Sequence, residues 1–361
     1  MREQRNLLVD CIKGGAIFLV VLGHCIQFMG PSSYNFFDNF IFKSIYSFHM
    51  PLFMAVSGYL FSVTIKKRNM CENIINKFHK LIIPAISWTI LISLLFNGSV
   101  SVQDIKYQLI SGLWFITTLF IISTVAYTIF SISHKNFIWL YALFCIAILF
   151  APDGYNIKMI KFLAPFFGLG MLFDYILKVT KPLQGNLTFL TILFIWVYLV
   201  INWKESYYIY TSGMSMDINN WQEQSINNIY RFISGLIGIY IAVFVFYIIS
   251  KNTLLLNSLS LLGKHTLSIY IIQTFIFYWI SKLDVINVYS NEYTYSLVIA
   301  PLFSIVIIAF CILISIILQK VHLANIILLG GEGRGILDVN RNKLKTSFKK
   351  MVKDDNKQTA T

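Results

Sequence analysis

Charge is what this sequence has least of. Only 12% of its 361 residues are Asp, Glu, Lys or Arg, about half the ~25% of an ordinary soluble domain. Hydrophobic residues make up 57%, and a soluble globule of this size has no interior large enough to hide them. The excess must face lipid, which excludes a cytosolic enzyme, a disordered chain and a secreted disulfide scaffold. Cysteine is also sparse. Cys11, Cys25, Cys71, Cys145 and Cys311 are scattered, show no metal-ligand spacing, and read as small apolar fillers. No metal site is expected, and no internal repeat or low-complexity segment is visible. Acidic residues are the scarcer sign, 16 against 29 Lys and Arg, for a net charge of +13. In a soluble protein that balance would suggest nucleic acid. In a membrane protein it is the excess of cationic residues on the cytoplasmic side, and no nucleic-acid partner is expected.

What is present is a series of long, continuous apolar runs. They do not alternate as barrel strands would, so the fold class is all-α, a polytopic transmembrane helical bundle. About ten spans are expected, near 11–29, 41–63, 81–97, 113–131, 137–151, 159–178, 187–203, 231–250, 261–281 and 297–319. The first has a basic start like a signal peptide, but a His interrupts its run and no small-residue cleavage site follows, so it reads as an uncleaved span. With the N-terminus cytoplasmic, only Lys43, Lys106, Lys158, Lys161, Lys204, Arg231 and Lys282 of the 29 basic residues fall outside, and both termini are cytoplasmic. Residues 1–329 form the membrane domain; 330–361 form a basic cytoplasmic tail, expected to be disordered and to touch anionic lipid.

Ionisable residues at membrane depth are candidates for function. Lys13 and His24 are 11 residues apart, about three helical turns, so they share a face at a rise of roughly 16 Å. Asp10 precedes Lys13 by one turn and is placed to pair with it. His49 lies on the next, antiparallel span at comparable depth, two residues before Pro51, which frees a carbonyl one turn back. Each histidine has two readings: a reactive group, or one that merely bonds a neighbouring helix. Lys77 and Lys80, with Lys66, Lys67 and Arg68, form a basic inner loop before Leu81-Ile82-Ile83-Pro84. It reads either as a phosphate-binding patch or as ordinary flanking charge. The long outer loop 204–230 carries Tyr207, Tyr208, Tyr210 and Trp221, faces for sugar rings or an interfacial aromatic belt. Arg231 follows, to contact an acceptor phosphate or to snorkel.

Lys13 through His24, Phe48-His49-Met50-Pro51-Leu52-Phe53, and Ser57-Gly58-Tyr59-Leu60 together resemble the acyltransferase-3 family of bacterial membrane O-acyltransferases. Its first-span pattern, a basic residue, ten others and His, is met by Lys13 and His24. Its inner-loop Arg-x-x-Arg resembles Lys77 to Lys80, with Lys for Arg; Lys meets phosphate as a point charge without the guanidinium fork. Trp114-Phe115, Ser268-Ile269-Tyr270 and Pro165-Phe166-Phe167-Gly168 resemble later family segments. The resemblance implies a multi-pass enzyme of the bacterial inner membrane. It would transfer an acetyl or other short acyl group from acetyl-CoA to a hydroxyl of a surface polysaccharide or its lipid-linked precursor. Acetyl-CoA is then a substrate, and no permanently bound cofactor is expected. The basic loop would hold the donor, and His24 and His49, with Lys13 and Asp10 behind them, would form the catalytic group. His24 would act as base on the acceptor hydroxyl or carry the acyl group itself. Trp114, Arg231, Tyr207 and Trp221 would face the acceptor. The competing reading, a secondary transporter or glycan flippase, also suits intramembrane His and Pro-broken helices, but gives no reason for the basic loop.

Overall fold

In a computed structural model the described residues are 6–30, 35–67, 69–179, 185–214, 220–283 and 291–331. Arg68 and tail residues 332–361 lie outside them. Among the described residues there is no strand. The helices are α1 Leu7–Met29, α2 Phe40–Thr64, α3 Met70–Lys77, α4 Ile83–Asn97, α5 Val102–Tyr107, α6 Trp114–Ile132, α7 Phe137–Ala147, α8 Ile157–Met171, α9 Phe173–Val179, α10 Asn186–Ile201, α11 Ile209–Ser212, α12 Trp221–Ile249, α13 Thr253–Lys264, α14 Thr266–Leu283, α15 Glu292–Thr294, α16 Ala300–Lys320 and α17 His322–Leu329.

All ten expected segments fall on helices. Six helices among the described residues are long and apolar enough to cross a membrane, and Phe137–Phe150, Asn186–Ile201 and Thr266–Ser281 are shorter apolar ones. Two expected spans are broken: 159–178 turns at Leu172, between α8 and α9, and 261–281 turns at His265, between α13 and α14. The outer loop is shorter than expected, because α12 starts ten residues early, at Trp221.

α1 is the central helix. Asn6 caps it, its side-chain oxygen accepting from Leu8 and Val9 N–H at 3.1 and 3.3 Å, one of the strong N-cap choices. It packs on α13 so closely that a Cβ on Gly14 would run into the Leu259 carbonyl, and one on Gly263 into the Asp10 carbonyl. The same reciprocal arrangement joins α2 to α8, through Gly58 on Phe167 and Gly170 on Ala55. Small residues at such crossings let backbones touch, as membrane helices require when hydrophobic burial no longer drives association. Facing outward are Trp139, Leu187, Phe194 and Val306, the lipid side of the bundle.

Candidate active site

The basic end of the bundle opens into a cavity of about 470 Å³. Lys13, Lys80 and Lys264 line its mouth, with Gly330 and Gly331; Ser57, Thr266 and Tyr270 are polar groups further along; Ile17, Phe53, Phe115 and Met50 line it as well. Lys80 is brought there by a π-helical turn, Phe78–Ile82, between α3 and α4. With more residues in its turn, a π-helix advances each residue through a smaller angle than an α-helix does. Lys80 lines the cavity, whereas Lys77 is half-buried and does not. π turns recur at functional sites. Lys13 Nζ is 3.5 Å from Asp10 Oδ1, and Asp10 is only 5% exposed. This pair sits at the cavity mouth, about three turns from His24. Its place is at that mouth, not beside the histidine.

Met50 also borders a second, much tighter space of about 20 Å³, lined by His49, Pro51, Tyr46, Trp114, Tyr207, Tyr210 and Arg231 among others. Met50 is thus common to both walls, and its chain neighbour is His49. His49 is 4% exposed, and its Nδ1 lies 2.7 Å from the Ile45 carbonyl. A carbonyl only accepts, so Nδ1 carries the proton and Nε2 keeps its lone pair. The partner is not Ser47, whose carbonyl Pro51 frees; the histidine is not there to patch the kink.

His24 has the same arrangement by another route. Its Nδ1 is 2.8 Å from Gln273 Oε1. Gln273 is fully buried on α14, and its amide nitrogen donates to the Tyr270 carbonyl at 3.2 Å and the Thr274 hydroxyl at 3.1 Å. A flipped amide would put two acceptor oxygens together at Tyr270, so the oxygen faces His24 and the His24 proton is assigned to Nδ1 by this network. Both histidines therefore keep the lone pair on Nε2; His49 lines the tight chamber, whereas His24 lines neither that chamber nor the lysine-mouthed cavity. Tyr46 lies between them: its ring is 4.8 Å from the His49 ring and abuts Gly23, and its hydroxyl donates to Gln27 at 3.0 Å.

Arg231 does neither of the things expected of it. It is 1% exposed, so it does not snorkel. Its five N–H groups are all taken: Nε by the Tyr207 carbonyl at 2.8 Å, one terminal nitrogen by Gly213 O at 2.7 Å and Asn228 Oδ1 at 2.8 Å, the other by Ser206 O at 2.9 Å and the Ser212 hydroxyl. No donor is left for an acceptor phosphate. It holds segment 205–214 over the His49 chamber. Lys161, also buried, holds the end of that segment through Asp153 at 2.7 Å and the Met214 carbonyl at 3.4 Å.

Of the acceptor-side residues, Trp114, Tyr207 and Arg231 come together at the chamber. Tyr207 stacks on Tyr230 with centroids 4.1 Å apart, which covers one ring face. Trp221 is 56% exposed at the start of α12 and does not line the chamber. Lys66 and Lys67 are exposed on the turn after α2 and do not line the lysine-mouthed cavity. Gln273, Tyr46 and Lys264 were missed as site residues. A single amide inside the apolar run 267–280 was a usable signal for Gln273; nothing local distinguished Lys264 from flanking charge.

The model of the acyltransferase-3 family, described as an acyltransferase domain, matches residues 6–320. The chain belongs to the acyltransferase-3 family. This membership agrees with the resemblance carried by Lys13, His24 and the His49 segment. Among curated proteins the chain is similar to the nodulation protein NolL of Mesorhizobium japonicum, 34% identical over 184 residues, covering 47% of this chain and 48% of that protein. It is likewise similar to nodulation protein NolL of Sinorhizobium fredii, 34% identical over 186 residues, covering 47% of this chain and 49% of that one. The aligned region spans about half the length of these relatives. No solved structure matches the chain.

Proposed function

We propose that this membrane acyltransferase-3 protein takes an acetyl or other short acyl group from acetyl-CoA and transfers it to a hydroxyl of a surface polysaccharide or its lipid-linked precursor. We place it in the bacterial inner membrane with both termini in the cytoplasm. The observation that carries this reading is the shared Met50 wall: a lysine-mouthed cavity runs up to the same residue that borders His49. Lys13, Lys80 and Lys264 suit the phosphates of a cytoplasmic polyanion, and the apolar length beyond them suits the pantetheine arm and its thioester. At the far end an imidazole Nε2 accepts the acceptor hydroxyl proton as the oxygen attacks the thioester carbonyl, and coenzyme A leaves as the thiol after taking that proton back. Alternatively Nε2 attacks first, an acyl-imidazole forms with loss of the thiol, and the hydroxyl then displaces the imidazole. Gln273 orients His24 for either route.

The deciding experiment uses purified protein in nanodiscs with radiolabelled acetyl-CoA and membrane glycans. Wild type should transfer label, and a His24→Ala protein that inserts normally should not. Equal transfer by the two would end the assignment. Label retained on wild-type protein after a rapid quench, and absent from His24→Ala, selects the acyl-imidazole route.

A further inference from the structure

A third space lies at the chamber end of the bundle. It is a slot of about 460 Å³ between α5, α6 and the start of α8, lined by Val102, Ile105, Leu109, Ile121, Ile157 and Ile160, and its volume is within the ~300–1,000 Å³ range of ligand pockets. Apolar side chains alone would make it an ordinary lipid-facing groove. Its rim is different. Lys106 Nζ lies 3.3 Å from the Tyr155 hydroxyl and 4.9 Å from the centre of that ring. Tyr155 is the residue other than glycine, among the described residues, that holds a positive φ, +46°. That conformation costs of order 1–3 kcal/mol and persists only where something fixes it. Lys158, one residue from the slot wall, donates to the Tyr210 carbonyl at 3.4 Å. Neither lysine has a carboxylate partner among the described residues.

The slot and the His49 chamber share no lining residue; Lys158, next to the slot residue Ile157, links them through the Tyr210 carbonyl. The Tyr210 ring stands 5.9 Å from Trp114 and 6.2 Å from Tyr46, both chamber walls. An apolar slot, two ammonium groups beside it without a carboxylate partner among the described residues, and the Lys158 bond to the chamber residue Tyr210 form one amphiphilic track. We propose that the slot binds the hydrocarbon tail of a phosphate-bearing lipid that carries the acceptor sugar, with Lys106 and Lys158 on the phosphate and the sugar beside Tyr210. This rests on the acyltransferase reading and narrows its acceptor to a lipid-linked one. The small size of the chamber agrees with it: about 20 Å³ next to His49 admits a hydroxyl rather than a whole sugar, so the bulk of the acceptor must be held elsewhere. Charge complementarity selects the phosphate-bearing lipid over a neutral one.

The test uses the full protein in nanodiscs and two photoreactive probes of equal chain length, an alkyl phosphate and an alkyl glucoside. Labelled peptides are mapped by mass spectrometry. The phosphate probe should label 102–121 and 155–160 saturably, and farnesyl diphosphate should compete. A Lys106→Ala/Lys158→Ala protein should lose about tenfold of that labelling. In the same protein the KM for a lipid-linked glycan should rise, with the KM for acetyl-CoA unchanged. Equal labelling by both probes, undiminished in the double variant, would mean surrounding lipid only and would overturn the site. Transfer to a soluble glycan that ignores the double substitution, together with an unchanged KM for the lipid-linked one, would overturn the site while the acyltransferase reading stands. Phosphate-selective labelling of a wild-type protein that transfers no acyl group would overturn that reading and support the lipid site alone.

Discussion

Gln273 Oε1 accepts a 2.8 Å hydrogen bond from His24 Nδ1, and this contact decides which imidazole nitrogen keeps its lone pair. With Gln273→Leu the Nδ1–H loses its partner, a loss of about 1–3 kcal/mol for a buried donor, and the tautomer is no longer fixed. The expected outcome is a kcat lower by roughly 10- to 100-fold, at unchanged membrane abundance and nearly unchanged KM for acetyl-CoA. Gln273→Glu, which keeps an acceptor oxygen, should recover much of the rate. A purely structural role predicts the opposite pattern: both variants lower protein level, and specific activity per molecule is retained.

His24→Ala should be the most damaging single change. A positioned general base contributes about 10²- to 10⁴-fold, so transfer should fall to near background. His49→Ala should impair activity in a mixed way, because His49 borders the chamber and its ring packs on Tyr46. Membrane abundance and acetyl transfer measured on the same preparations separate chemistry from folding. A His24→Ala protein that is inserted, abundant and still active would return weight to the transporter reading.

The donor side is testable by contrast among lysines. Lys80 and Lys264 line the cavity mouth, whereas Lys66 and Lys67 do not. A Lys80→Ala/Lys264→Ala protein should show a KM for acetyl-CoA raised about tenfold or more, with a smaller change in kcat, through lost charge-assisted phosphate contacts. Lys66→Ala/Lys67→Ala should change it little. If the two pairs behave alike, the phosphates are not held at the cavity mouth. Lys80→Arg should keep or improve donor use, since the guanidinium offers a bidentate fork.

The helical class and the places of the apolar helices were legible in the chain because each apolar run is a local signal, as is an ionisable residue within it or a cluster of charge beside it. What was not legible depends on contacts far apart in sequence. Gln273 meets His24 across 249 positions. The π turn at Phe78–Ile82 has no distinctive composition, yet it carries Lys80 to the cavity wall, which Lys77 does not line. Arg231 was read from its place at a span end, where an arginine ordinarily reaches water. The carbonyls of Ser206, Tyr207 and Gly213 turn it inward instead, because α12 begins ten residues earlier than its apolar run suggests and carries the arginine below the surface.

Orientation can be checked without activity. Ser101 and Lys67 are exposed, and the apolar stretch Met70–Leu95 separates them in the chain. In a background lacking native cysteines, Ser101→Cys should react with an impermeant maleimide in intact cells, and Lys67→Cys should react only after permeabilisation. The reverse result would place the lysine-mouthed cavity outside, away from cytoplasmic acetyl-CoA.

The last prediction concerns Arg231, whose five hydrogen bonds gather Tyr207, Gly213, Ser206, Ser212 and Asn228. Arg231→Met keeps the length and removes every donor, stranding three buried carbonyls, and each stranded group costs about 1–3 kcal/mol. Arg231→Lys keeps the charge but brings three donors without the planar fork, so it should recover only part of the loss. The expected phenotype is a lower melting temperature in detergent and a weakened acceptor step. The KM for acetyl-CoA should be unchanged, because the lysine-mouthed cavity lies beyond Met50 and Arg231 does not line it. Limited proteolysis should show the cause directly: cleavage within 205–214 should speed up in Arg231→Met and stay near the wild-type rate elsewhere. A variant that resists proteolysis like the wild type and yet fails to use the acceptor would instead mean that the guanidinium touches the acceptor, and that its bonds to segment 205–214 are exchanged when the acceptor arrives.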